Sequence, residues 1–116
     1  MKKFNSLKEI RILIDQKKTS LPDLLEYYFN QISQQQQLNA FNEVFFASAR
    51  KQAAEVQQKL NQGTAGKLAG MVIGIKDNIC YKDHRVSASS RMLDGFVAPY
   101  SSTVVQRLLD EDAIII

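Results

Sequence analysis

Gly70-Met71-Val72-Ile73-Gly74-Ile75-Lys76-Asp77-Asn78 is a short apolar, partly β-branched run bounded by glycine that ends in three polar residues. Its length and its bounding predict a buried strand. From Tyr81 to Tyr100 the chain reads as loop, with Ser87, Ala88, Ser89 and Ser90 at its centre. Pro99-Tyr100-Ser101-Ser102 then leads into a helix, with Ser101 or Ser102 as cap and Val104, Val105, Leu108 and Leu109 as its apolar side. Ala113 to Ile116 reads as a second buried strand. A strand–loop–helix–strand order predicts a parallel pair, and parallel sheets are covered on both faces. Two parallel strands are too few to form a stable sheet alone. The order therefore predicts the front part of a larger α/β protein, with the sheet cut at its second strand. An unpaired apolar edge at Ile114-Ile115-Ile116 predicts self-association.

Upstream of this stretch the pattern is helical. Ser6-Leu7-Lys8-Glu9 has the form of a capping box, and Leu7, Ile10, Leu13 and Ile14 follow at three- and four-residue spacing. Ser20-Leu21-Pro22-Asp23 is a second start, because proline's missing N–H costs nothing in a first turn. Leu21, Leu24, Leu25, Tyr28, Phe29 and Ile32 carry that helix to a glutamine run at 34–37, which reads as a solvated helix end. Asn39 to Phe46 is ambiguous. Ala47 to Leu60 favours helix by propensity, and Gly63 is its expected C-terminal cap. The composition changes there: all five glycines lie between Gly63 and Gly95. The division expected is a helical region over 1–62 and the start of an α/β domain over 63–116.

The 116 residues are 45% hydrophobic and 23% charged, which is ordinary globular usage and excludes wholesale disorder. One cysteine and one histidine cannot build a disulfide or a structural zinc site, so no metal is expected. No apolar run is long enough to span a membrane, and Met1-Lys2-Lys3 is followed by no apolar segment of a secretory signal. A cytoplasmic protein is expected, with no membrane partner. The net charge of +3 is scattered, with basic clusters only at Lys2-Lys3, Lys17-Lys18 and Lys82 to Arg85, so direct nucleic-acid binding by this chain is not expected.

The run from Gly70 to Ile79, with its Lys76-Asp77-Asn78 exit, resembles the start of the amidase signature family. The resemblance continues through Ser89-Ser90-Arg91-Met92-Leu93, Pro99 to Val105 and Leu108 to Ile116. Within that family the chain looks most like the amidase (A) subunits of glutamyl-tRNA(Gln) amidotransferases, including the helical lead-in from Ser6 to Phe41. The fold class implied is α/β: N-terminal helices, then the first strand–loop–helix–strand of a mixed sheet, truncated. Val86-Ser87-Ala88-Ser89-Ser90 stands where the family often has a threonine pair, and Asp112 where glycine is common before the second strand. The glycine- and serine-rich segment with the family's two catalytic serines has no counterpart here, so the resemblance implies a chain inactive alone.

What the resemblance implies chemically is a Ser–Ser–Lys amidase in which Lys76 is the general base. Near neutrality a lysine with its usual pKa of about 10.4 cannot accept a proton, and enclosure in a core would favour its neutral form. A lysine snorkelling from a strand end is the alternative. Asp77 and Asn78 read as turn formers; the resemblance makes them, with Ser89 and Ser90, organisers of the site through loop hydrogen bonds. Lone His84 reads as solvent-exposed, and Cys80 as a buried structural thiol. The implied activity is glutamine hydrolysis, with the ammonia used on Glu-tRNA(Gln). The implied partners are B and C subunits, glutamine, and the tRNA through the complex. No cofactor is expected on this chain; ATP and Mg are used by the complex. A stand-alone amidase signature hydrolase and a non-enzymatic helical interaction fragment are the alternatives.

Overall fold

Three helices carry the first half of the chain in the computed structural model, which describes Phe4 and residues 6–116. They are α1 (Leu7–Asp15), α2 (Leu21–Gln34) and α3 (Phe46–Gln62). The basic pair Lys2-Lys3 lies outside the described residues. Each of the first two helix starts is set by the serine its sequence nominates. The Ser6 hydroxyl accepts from Glu9 N–H and the Ser20 hydroxyl from Asp23 N–H, both at 3.2 Å, relieving donors that a first turn leaves unpaired. Gln57 Oε1 on α3 takes a further orphan, Leu21 N–H, at 2.8 Å. At its far end α3 closes on Gly63, whose φ of 71° is the left-handed turn glycine adopts without strain. The glutamine run is exposed, as expected, and passes through a 3₁₀ turn (Gln36–Leu38).

The second half supplies β1 (Val72–Ile73), a 3₁₀ turn at Arg91–Leu93, α4 (Thr103–Asp110, capped by Ser102) and β2 (Ile114–Ile115). The strands pair in parallel, Val72 opposite Ile114 and Ile73 opposite Ile115. Both are shorter than the runs expected. Ile114 N–H bonds Met71 O and Ile116 N–H bonds Ile73 O, after which Gly74 leaves the ladder. The β2 edge is also not open along its length. Ile115 N–H donates to Gln52 Oε1 of α3 at 3.1 Å, which corrects the expectation of an unpaired edge at that residue.

Side chains of β2 alternate between two cores. Ile114 and Ile116 join Ile10, Leu21, Leu24, Leu25, Phe29 and Val56 of the helices, with Val72 beside them. Ile115 joins Tyr81 and Val105 on the other face, with Ile73 and Leu108. Helices thus cover both faces of the short sheet, as a parallel pair requires.

A polar turn ties the halves together. Gly66 N–H donates to Asp112 Oδ2 (2.7 Å), and Lys67 N–H to Glu111 Oε2 (2.9 Å). Arg11 of α1 donates to the Gly66 and Ala69 carbonyls. Gly66 runs so close to Glu111 that an added Cβ would lie 2.6 Å from its backbone. Asp112, the residue in the position where glycine is common, does take a left-handed φ of 65°. Aspartate tolerates that conformation better than most side chains, and here its buried carboxylate also meets Lys59 Nζ at 2.6 Å.

Candidate functional site

Beyond β1 the chain lines a cleft of about 1040 Å³ with Gly74, Ile75, Lys76 and Asp77. The opposite walls come from the α2–α3 connection (Asn39–Glu43 and Phe45) and from the loop between Arg85 and Phe96. Lys76 is exposed on this cleft. The ladder ends at Ile73, so the amine three residues later stands beyond the sheet. Ile79 N–H bonds Lys76 O at 3.0 Å and closes the Lys76–Ile79 turn.

Asp77 is the organising group. Its Oδ1 accepts from Ser87 N–H at 3.0 Å, and its Oδ2 from the Ser87 hydroxyl in a short bond and from Asn42 Nδ2 at 3.1 Å. Its backbone carbonyl accepts from Ala88 N–H at 2.7 Å. The Ser87 hydroxyl, and then the Ser87 N–H, hold the Asp77 carboxyl below the usual carboxylate range; partial burial opposes them, and Asn42 and the Lys76 charge add to the lowering. These bonds clasp a strained segment. Ala88 and Ser89 have φ of 49° and 58°, consecutive left-handed non-glycine residues that cost roughly 1–3 kcal/mol each.

The structure separates the other expected organisers. Asn78 is exposed and does not line the cleft. Ser89 lines it. Ser90 does not; its carbonyl accepts from Leu93 N–H at the 3₁₀ turn. The bonds to Asp77 are made by Ser87, which the motif does not single out, and Ser90 N–H donates to Ser87 O at 2.8 Å within the loop. The loop is also more ordered than its composition implies. Arg85 and Val97 form an antiparallel bridge, flanked by Val86 N–H to Phe96 O and Ala98 N–H to His84 O.

Behind the cleft, His84 is half-buried, against expectation. Its ring stacks on Tyr81 at 3.8 Å, with Nδ1 at 2.8 Å from Lys82 O and Nε2 at 2.7 Å from Ser48 Oγ. The carbonyl partner makes Nδ1 a donor. Burial raises the Tyr81 pKa, opposed by hydrogen bonds from Gln52 and Ser48. Cys80 is half-buried, and its carbonyl accepts from Ser102 N–H. Among the described residues no group of three His, Cys, Asp or Glu side chains could hold a metal ion, and no helix is long and apolar enough to cross a membrane.

The cleft thus presents an exposed amine on a turn that Asp77 holds. Comparison with known proteins narrows the chemistry. The family model described as Amidase matches residues 23–116. The A subunit of the glutamyl-tRNA(Gln) amidotransferase of Brachyspira hyodysenteriae is 39% identical across 93% of this chain and 23% of its own length. Its namesake in Methanothermobacter thermautotrophicus is 45% identical across 68% of this chain and 18% of its own. Among solved structures, native peptide amidase from Stenotrophomonas maltophilia superposes with a TM-score of 0.88 at 26% identity, covering 97% of this chain and 24% of that one. A bacterial aryl acylamidase of the amidase signature family gives 0.86 at 25% identity, over 97% and 24%. The chain spans about a quarter of the length of the relatives it matches.

Proposed function

This chain belongs to the amidase family, and on that premise we propose that it is the lysine-bearing part of a glutamine-hydrolysing subunit of a glutamyl-tRNA(Gln) amidotransferase. The observation that supports this reading is the coincidence of two things. The relatives that share most of the chain at 33–45% identity carry that subunit's name, and Lys76 stands on the cleft, on a turn fixed by Asp77. In the proposed division of labour, residues 1–62 form a helical region and 63–116 open the catalytic domain.

In this mechanism Lys76 works with two serines contributed from outside residues 1–116. Its neutral amine draws a proton through the bridging serine from the nucleophilic one, which attacks the glutamine side-chain carbonyl. The proton passes to the amide nitrogen, ammonia leaves, and water releases glutamate from the acyl-serine. A neutral amine needs a site closed from water, so the cleft wall bearing Lys76 is where the rest of the domain packs. B and C subunits are the proposed partners. The complex uses ATP with Mg to activate the glutamate on Glu-tRNA(Gln), and the setting is the cytoplasm. This chain alone, lacking the serines, is inactive.

A stand-alone hydrolase is the second reading, favoured by the fold likeness to a peptide amidase and an aryl acylamidase. Ammonia release separates them. The amidotransferase component, assembled with its partners, should release ammonia from glutamine far faster than it releases ammonia from a peptide amide or an arylamine from an aryl acylamide. The reverse preference, undiminished without partners, would establish the stand-alone hydrolase.

A further inference from the structure

We propose that Asn42, on the connection between α2 and α3, is a positioning residue for the Lys76 turn, acting through Asp77. This goes deeper into the site of the proposed amidase and rests on that reading for its catalytic consequence only.

The connection is aimed at the cleft by backbone geometry. After the 3₁₀ turn, Asn39 takes a left-handed φ of 48° and reverses the chain. Residues 39–43 then line the cleft opposite the lysine turn. Two side chains make the crossing. The Phe41 ring lies against Gly74, 3.4 Å from where a Cβ would stand. Asn42 Nδ2 reaches Asp77 Oδ2 at 3.1 Å, the oxygen that also takes the Ser87 hydroxyl. Asn42 is thus the one donor to this carboxylate from outside the 76–90 segment among the described residues. The other bonds to Asp77 are made by the strained loop itself, at Ser87 and Ala88. A carboxylate held only by that loop could swing with it. Held also by Asn42, it is fixed to the helical half of the molecule, and Lys76, one residue away, is fixed with it.

The helical region is therefore a wall of the site, and the polar groups a substrate meets opposite the amine come from 39–43.

Two measurements on the chain need no enzymatic activity. In the first, Asp77 is titrated by its side-chain carboxyl carbon signal. Removing a donor in Asn42→Ala should move the Asp77 midpoint up, and the like charge in Asn42→Asp should move it further up. A role confined to packing would move neither. In the second, Asn42→Ala should speed hydrogen exchange at Ser87 and Ala88 roughly tenfold, while the sheet amides Ile114 and Ile116 stay as slow as in wild type. An unmoved Asp77 midpoint in both variants, or equal acceleration at loop and sheet, would overturn the proposal. In the assembled amidase, Asn42→Ala should lower kcat about tenfold with KM near its wild-type value. If no amidase activity exists in any variant, the functional reading fails and the first two measurements still decide the role of Asn42.

Discussion

Asp112 and Asp77 each aim a carboxylate at a backbone N–H and a side-chain donor, but one is set in the frame of the molecule and the other at its cleft. Asp112 is buried, left-handed, and bound to Gly66 N–H and Lys59. It joins α3, the 64–71 turn and the start of β2, where two apolar cores also meet. Asp77 is half-exposed and clasps a loop whose surroundings are open. The same bonds weigh differently in the two settings. In the buried case an abandoned partner cannot turn to water, whereas at the cleft it can. The first carboxylate secures the fold; the second secures the shape of a site on a fold that would survive its loss.

The sharpest test of that difference is at Gly66. Gly66→Ala places a Cβ against the Glu111 backbone, which cannot rotate away, and should cost about 3 kcal/mol of unfolding free energy by urea titration. Asp112→Ala should cost about 2 kcal/mol, since it leaves Gly66 N–H unpaired in a partly buried turn. Asp112→Gly should fall less, because glycine relieves the left-handed backbone. At the cleft, Asp77→Ala should cost under ~1 kcal/mol globally while releasing Ser87 and Ala88 to fast exchange. A global loss at Asp77 equal to that at Asp112 would erase the distinction.

Much of the frame is written locally. Ser6, Ser20, Ser102 and Gly63 are each legible because capping needs only a residue type at a fixed offset. The parallel pair is legible from element order. Less so is the site. Motif alone points to Lys76, Asp77, Asn78, Ser89 and Ser90, of which Lys76, Asp77 and Ser89 line the cleft and Asn78 and Ser90 do not, and it does not point to Ser87, whose bonds to Asp77 precede two left-handed residues that no propensity signals. The wall at 39–43 reads in sequence only as ambiguous chain; Asn39 and Asn42 flanking an aromatic are the sole hint. The burial of His84 is hidden because stacking on Tyr81 is a tertiary event. The pairing of the β2 edge at Ile115 is hidden for the same kind of reason, since Gln52 meets Ile115 across 63 residues of sequence.

The smallest effects are in pH. Hydrogen bonding lowers the Asp77 pKa, so its clasp is fully present above the ordinary carboxylate value of about 3.9 and is lost as pH falls through the lowered folded value. The Asp112 hydrogen bond and charge raise Lys59, so that contribution is present below the ordinary lysine value of about 10.4 and is lost as pH rises through the raised one. Midpoints of thermal unfolding for Lys59→Met and wild type should therefore converge in strong alkali, and those for Asp77→Asn and wild type in acid but not in alkali. A Lys59→Met difference that persists in strong alkali, or Asp77→Asn midpoints that converge with wild type in alkali, would contradict these assignments.

Amide transfer by the assembled complex, with glutamine or ammonium as nitrogen donor, tests the role of Lys76 most directly. Lys76→Ala should abolish glutamine-dependent transfer and keep ammonium-dependent transfer, because in the proposed function activation of the glutamyl ester is assigned to a partner. Lys76→Arg should fail with glutamine nearly as badly, since a guanidinium stays protonated. Glutamine-dependent transfer retained in Lys76→Ala would contradict the account and leave Lys76 a solvent-facing strand-end residue.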